Sequence, residues 1–228
     1  MEYAQTLSLA AAFCAVAALY ASVGHGGASG YLAVMALAGM TPAVMRPTAL
    51  VMNLVVSALA TFAFARAGHF RWRLFWPFAA ASIPFAWLGG STTVADAWFR
   101  LLVGGALLVA AWRFFLPVST ADAEPRTPPV AVALPIGVLL GYLSGLVGVG
   151  GGIFLTPLLL LAGWARPKTA AAVSAPFIFV NSLAGLAGLQ PATATLPPAL
   201  GLWAAASEGE TARAGKPAGE RPRPRIAE

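Results

Sequence analysis

Two glycine clusters, at residues 22–27 and 145–152, are the places in this sequence where the backbone itself could bind a ligand. The first reads SVGHGG and the second reads GLVGVGGG, and both lie between strongly apolar runs. A glycine inside a helix costs about 1 kcal/mol relative to alanine, so the uninterrupted run at 150–152 favours a break in the helix. Such a break exposes N–H groups at the positive end of the following helix, where anions bind. The clusters therefore predict a paired anion site built from backbone amides.

Neutral polar side chains inside the apolar runs are the other candidates for such a site. They could donate hydrogen bonds to an anion, although the more common role of a lone serine or asparagine in a membrane helix is a hydrogen bond to a neighbouring helix. His25 lies within the first cluster and could donate a hydrogen bond, carry a proton or be purely structural. The predicted substrate-binding residues are Gly24, His25, Gly26, Gly27, Ser29, Asn53, Gly148, Gly150, Gly151, Gly152, Ser174, Asn181 and Ser182.

Close helix packing is the alternative explanation for the glycines. Small residues four positions apart let two helix backbones approach each other, and Gly141/Gly145 and Gly148/Gly152 have this spacing. Under this alternative the chain would be a non-transporting or degenerate membrane scaffold in which the clusters only pack helices. The spacing by itself leaves both explanations open.

Residue patterns typical of catalysis or of cofactor binding do not occur in this sequence. It has no acidic pair, no cysteine–histidine metal spacing and no nucleophile beside an evident base. We therefore expect no enzyme activity, no cofactor and no bound metal. The middle of each apolar run also lacks charged residues, which argues against a cation substrate because cation carriers usually place carboxylates there.

Membrane helices are the elements that must position these residues. Apolar residues make up 59% of the chain and charged residues only 10%, whereas a soluble domain carries about 25% charged residues. Basic residues fall in the gaps between apolar runs and in the tail, which is typical of membrane proteins and argues against nucleic-acid binding. We expect a multi-pass protein of the inner (plasma) membrane whose partners are the lipid bilayer and a small anion, and a homo-oligomer is compatible with the sequence.

The two halves of the chain repeat each other. VGHGGASGYLAVMALAG (23–39) aligns with VGVGGGIFLTPLLLLAG (147–163) and, past one gap, VSALAT (56–61) aligns with NSLAGL (181–186). We predict an all-α, polytopic transmembrane helical bundle built from two homologous halves with glycine-broken helices. Its parts are a first repeat (1–116), a polar, proline-rich connector (117–129), a second, incomplete repeat (130–206) and a disordered charged tail (207–228). The early end of the second repeat indicates either a shortened protein or a tail read out of frame.

The orientation of the chain depends on how the glycine clusters cross the membrane. The loop at residues 66–73 is the most basic and is expected in the cytoplasm. A span predicted from Thr48 leaves Arg46 in the preceding loop, on the opposite side together with Arg166 and Lys168. If each broken segment crosses once, the two halves run parallel. If it folds back as a re-entrant hairpin, they do not.

The second glycine cluster and its surroundings resemble the sulfite exporter TauE/SafE family, also called the TSUP permeases. The resemblance rests on GYLSGLVGVGGGIFLTPLLLLAG (141–163) and AAAVSAPFIFVNSLAGLAG (170–188), with a degenerate first copy at 22–39 and the basic AGHFRWR (67–73). It implies an inner-membrane permease that moves sulfur-containing or organic anions such as sulfite and sulfonates. Transport by alternating access between the halves is expected of such repeats. The family motif matches Gly24, Gly26, Gly27, Gly148, Gly150, Gly151, Gly152 and Pro157, whereas His25, Ala28 and Ala33 depart from it.

Overall fold

The computed structural model describes residues 8–16, 28–115, 125–190 and 196–205. Every regular element within these ranges is an α-helix, which confirms the predicted all-α class. Helix α1 covers residues 8–16 and α9 covers residues 200–205. Between them lie α2 (Ala28–Leu37), α3 (Pro42–Arg66), α4 (Trp72–Ser91), α5 (Asp96–Phe115), α6 (Val130–Val147), α7 (Gly152–Leu161) and α8 (Pro167–Gly188).

Three of the described helices, α3, α6 and α8, are long and apolar enough to cross a bilayer. They have 25, 18 and 22 residues. Helix α7 is also apolar but has only 10 residues, which corresponds to about 15 Å of helix, or half the hydrocarbon thickness. Trp72 and Trp98, near the starts of α4 and α5, are each 63% exposed, as expected of anchors at a membrane interface. The described part is therefore an all-helical membrane protein.

A ladder of glycines holds α6 against α4. A Cβ added at any of three α6 glycines, each one turn apart, would collide with a backbone carbonyl of α4. Residue numbers increase in the same direction along both helices from one contact to the next. Helices α4 and α6 therefore run parallel, and their backbones lie very close together. This arrangement confirms the packing explanation for Gly141 and Gly145. The pairs are Gly137 with Phe78, Gly141 with Ser82, and Gly145 with Ala86.

The chain stops being helical between α6 and α7, at residues 148–151, which we call the glycine break. Gly148, Gly150 and Gly151 have φ values of +83°, +75° and +78°, a left-handed region that favours glycine. Gly148 caps the end of α6, where its N–H donates to the Ser144 carbonyl at 2.9 Å. The interruption predicted for the second cluster is therefore confirmed.

Helix α7 returns toward the end of the bundle at which α6 begins. The backbone N–H of Arg126, just before α6, donates to the Gly163 carbonyl, just after α7, at 3.2 Å. The centroid of the Trp164 ring lies 6.2 Å from the centroid of the Phe78 ring, which belongs to the first half of α4. Helices α6 and α7 thus form a re-entrant hairpin with the glycine break at its tip.

The turn between α7 and α8 consequently lies beside the loop that precedes α4. The prediction that Arg166 and Lys168 face the side opposite the basic loop at residues 66–73 is wrong, because it assumed a single crossing by the α6–α7 segment. Both residues are exposed at the same end of the bundle as that loop. The charge asymmetry between the two ends is therefore larger than the sequence indicated.

Helices α3 and α8 occupy corresponding positions in the two sequence repeats and run antiparallel. A Cβ added at Gly150 would meet Asn53 of α3 and Ser182 of α8, whereas one added at Gly185 would meet Leu50. The residue of α3 that lies nearer its start, Leu50, is therefore beside the residue of α8 that lies nearer its end, Gly185. Antiparallel placement of corresponding helices is typical of inverted-topology repeats.

Candidate functional site

Polar side chains from three helices surround the glycine break. Gly150 is enclosed so closely that an added Cβ would lie 2.9 Å from Ser182 Oγ and 3.0 Å from Asn53 Nδ2. Asn53 Nδ2 also donates a long hydrogen bond of 3.4 Å to the Gly148 carbonyl. Both side chains are fully buried. The fold thus brings Asn53, Gly148, Gly150 and Ser182, which lie far apart in the sequence, to one place.

Several buried polar atoms at the break have no hydrogen-bond partner among the residues that the structure describes. They are Asn53 Oδ1, Ser182 Oγ and Ser144 Oγ, the last on α6 with its Cβ 3.4 Å from a Cβ added at Gly151. An unpaired buried polar atom costs about 1–3 kcal/mol, so three of them in one place are a substantial local destabilisation. A serine hydroxyl can rotate its proton toward an acceptor. A ligand with acceptor oxygens would therefore relieve the cost at both serines.

The start of α7 adds backbone donors to these side chains. The first intrahelical bonds of α7 run from the N–H groups of Phe154 and Leu155 to the Gly151 carbonyl, each at 3.1 Å. The N–H groups of Gly152 and Ile153 precede these bonds and have no intrahelical acceptor. They lie at the positive end of the helix dipole. Amides and hydroxyls together form a neutral donor set that suits an anion.

In this conformation helix α8 closes the site. A Cβ added at Gly150 would lie 2.8 Å from Ile178 Cγ2, and one added at Gly151 would lie 2.8 Å from Phe177 Cε1. The side chains of α8 therefore fill the space in front of the break.

The other predicted site residues lie at varying distances from the break. Ser174 accepts a hydrogen bond of 2.8 Å from Thr156 Oγ1, one turn further along α7. Asn181 Nδ2 donates to the Phe177 carbonyl of its own helix at 2.8 Å, and its Oδ1 has no partner. Ser29 is buried near the start of α2. The residues of the first cluster, Gly24, His25, Gly26 and Gly27, lie outside the described residues.

Arg46 lies beside the break and is a buried residue that the sequence interpretation placed in a loop. Helix α3 begins at Pro42 rather than at the predicted Thr48, so Arg46 is inside the helix and only 9% exposed. Its Nε donates to the Gly145 carbonyl at 2.9 Å, and its Nη2 donates to the same oxygen at 2.7 Å. Nη2 also donates to the carbonyls of Gly89 and of Gly90, the latter at 2.9 Å, and Nη1 donates to the Thr92 carbonyl at 3.1 Å.

The guanidinium of Arg46 holds together the C-terminal ends of α4 and α6, and we call this set of contacts the Arg46 clamp. Its acceptors are carbonyls in the last turns of α4 and α6 and the carbonyl of Thr92, which caps α4. Most carbonyls at a helix end lack an intrahelical donor, and the positive charge of Arg46 opposes the negative ends of both helix dipoles. The Arg46 backbone also contacts the break, since its carbonyl oxygen lies 3.1 Å from a Cβ added at Gly148. A charged residue within a membrane helix is itself an indication of function. The sequence did not give this indication, because Arg46 lies just outside the apolar run that begins at Thr48.

The electrostatic surroundings of the break are positive. Asp96, at the start of α5, is the single acidic residue in the described part of the chain. The acceptors of Arg46 are uncharged backbone carbonyls, so its charge is not cancelled by a carboxylate within that part. A positive charge beside a set of neutral donors favours an anionic ligand over a cationic one.

Known proteins that are similar to this chain are described as membrane transporters. The family model described as "Sulfite exporter TauE/SafE" matches residues 9–222. A "Probable membrane transporter protein" of Sinorhizobium fredii is 38% identical over 203 residues, which cover 87% of this chain and 82% of the relative. A protein of the same description from Methanocaldococcus jannaschii is 27% identical over 147 residues, which cover 61% of this chain and 53% of the relative. No solved structure matches the chain.

Proposed function

Because this chain belongs to the sulfite exporter TauE/SafE family, we propose that it is a membrane transporter for a small sulfur-containing anion such as sulfite or a sulfonate. The observation that carries the proposal is the meeting of Asn53, Gly150 and Ser182 at the start of α7. Sulfite and sulfonates present several acceptor oxygens on one negatively charged group. Such a group matches backbone amides, serine hydroxyls and a nearby arginine.

The arrangement of α3 and α8 supports transport by alternating access. These helices belong to different halves of the chain, run antiparallel and enclose the same glycine break. Inverted repeats of this kind place the substrate between the halves and expose it by rocking one half against the other. The packed contacts of Gly150 would then represent a closed stage of the cycle.

Removal of the Ser182 hydroxyl tests this site. The full chain and its Ser182→Ala variant are reconstituted in liposomes. The initial rate of radiolabelled sulfite uptake is then measured at a sulfite concentration well below the one that saturates transport. We expect uptake to fall by about tenfold or more in the variant, because a hydrogen bond to a charged group contributes about 1.5–3 kcal/mol.

Ser82→Ala is the matched control. Ser82 is equally buried, but its hydroxyl donates to the Ala79 carbonyl of its own helix at 3.3 Å, away from the break. Its variant should transport like the wild type. Wild-type uptake by Ser182→Ala would refute the site, and a wild-type chain without saturable uptake of any sulfur oxyanion would favour the scaffold alternative.

A further inference from the structure

A cavity of about 390 Å³ lies at the end of α4 opposite to the Arg46 clamp. Its walls come from the start of α4 with the residue before it, the segment before α6 and the turn after α7, so both halves of the chain contribute. The Arg126–Gly163 backbone bond joins two of these segments. The lining residues are Arg71, Trp72, Arg73, Leu74, Thr127 and Trp164.

Exposed cations dominate this end of the bundle. Arg71 and Arg73 line the cavity, and three further exposed cations lie close in sequence to its other walls: Arg126, Arg166 and Lys168. Asp96, the one described acid, follows the far end of α4 and cannot neutralise them. Within the described ranges these cations have no acidic neighbour, and like charges collected in a cleft raise the local concentration of anions. The cavity is therefore suited to a negatively charged group.

Apolar side chains exposed at this end of the bundle indicate which kind of anion the cavity would bind. Trp72 is 63% exposed and Leu161, at the end of α7, is 62% exposed, while Leu74 is buried. The Trp72 ring packs against Phe70 and Phe75 at centroid distances of 6.3 and 5.5 Å, which holds it in place. Tryptophan and arginine side by side are typical of the boundary between headgroups and acyl chains. A soluble anion would make no use of the exposed apolar surface, whereas a lipid would.

We propose that this cavity binds the phosphate headgroup of an anionic phospholipid of the cytoplasmic leaflet. Arg71 and Arg73 would bond to the phosphate oxygens, for which the planar guanidinium is well shaped. Trp72 and Leu161 would contact the glycerol and acyl portions. Basic pockets between membrane helices on the cytoplasmic side bind such headgroups, and this cavity is large enough for one. The bound lipid would join α4 of the first half to the α6–α7 hairpin of the second.

The full-length protein in neutral detergent provides the test. Bound lipids are counted by native mass spectrometry, and the melting temperature is measured with phosphatidylglycerol, phosphatidylcholine or inorganic phosphate. We expect phosphatidylglycerol to bind at least tenfold more tightly than phosphatidylcholine and to raise the melting temperature. Inorganic phosphate at the same concentration should leave it unchanged.

Single arginine variants locate the binding. Arg71→Gln and Arg73→Gln should each weaken phosphatidylglycerol binding about fivefold, because each cation near an anionic headgroup contributes roughly that factor. Arg100→Gln is the matched control, since Arg100 is also exposed but lies on α5, beyond the other end of α4. Equal binding of the two lipids, or an equal loss in Arg100→Gln, would overturn the proposal. Stabilisation by inorganic phosphate equal to that by the lipid would assign the cavity to a free anion instead.

Discussion

Arg46 connects three helices through a single side chain. It belongs to α3 and donates to the last carbonyls of α4 and α6, next to the glycine break. Five guanidinium donors in one plane can serve several carbonyls at once, whereas a lysine ammonium is a compact point charge with three donors. The geometry of the guanidinium, and not only its charge, therefore holds the two helix ends together.

Replacement of Arg46 should destabilise the fold strongly. We expect Arg46→Met to lower the free energy of unfolding by about 3 kcal/mol or more, because it leaves buried carbonyls without donors. The free energy of unfolding of Arg46→Lys should lie between that of Arg46→Met and that of the wild type. The measurement is denaturant unfolding in detergent, with Arg100→Met as the exposed control. Equal stability of Arg46→Met and Arg100→Met would contradict the role assigned to the clamp.

Single residues were predictable from the sequence only where they stand out locally. Asn53 and Ser182 were candidates because polar side chains are conspicuous in apolar runs, and both lie at the break. Arg46 was missed because an arginine before Pro47, at the edge of an apolar run, is typical of a loop. Its acceptors lie between 43 and 99 residues further along the chain. No local pattern contains that information.

Glycine has two separate structural roles at the level of the helices. Gly137, Gly141 and Gly145 permit the close contact of α6 with α4, and residues 148–151 end α6. The sequence presented packing and helix breaking as alternatives, because both use closely spaced glycines. The structure assigns them to adjacent turns of one segment.

Gly141→Ala tests the packing role. The added methyl group would collide with the Ser82 carbonyl, so we expect a loss of about 1–3 kcal/mol in the free energy of unfolding. Gly104→Ala is the control, since a Cβ there meets nothing within 4 Å. It should leave stability unchanged or raise it by up to about 1 kcal/mol through helix propensity. If both variants unfold at the same denaturant concentration, the ladder does not limit the separation of α4 and α6.

The bounds of the helices were more predictable than their directions. The apolar run at 130–147 coincides with α6, Val130–Val147, because it is bounded by Pro129 and Gly148. The return of α7 was left open, because glycines with positive φ can either continue a crossing or reverse it. Contacts of Arg126 and Trp164 with distant segments decide the direction, and the sequence does not show them.

At the scale of the whole molecule, the described ranges form a bundle with one strongly basic end. The loop before α4, the segment before α6 and the turn before α8 all lie there, and each carries exposed cations. The repeat in the sequence predicted two related halves, but their inversion depends on the direction of α7. By the distribution of basic residues, this end should face the cytoplasm.

Cysteine labelling tests this topology. In a Cys14→Ser background, Arg126→Cys and Arg166→Cys should both react with a membrane-impermeant maleimide added to the cytoplasmic face. Thr93→Cys, exposed between α4 and α5, should react only from the opposite face. Labelling of positions 126 and 166 from different faces would mean that α7 completes a crossing, and the inverted arrangement would be wrong.

The Arg46 clamp also has a consequence for the order in which the protein assembles. During synthesis α3 enters the membrane before any of its acceptors has been made. The α4 carbonyls follow 43 and 44 residues later, and the Gly145 carbonyl follows 99 residues later. Since an unpaired arginine is costly in hydrocarbon, α3 should stay near the water boundary until α4 emerges from the ribosome and should reach its final depth only after α6 does. The glycine break, made directly after α6, would then form against a helix that has just been fixed in place.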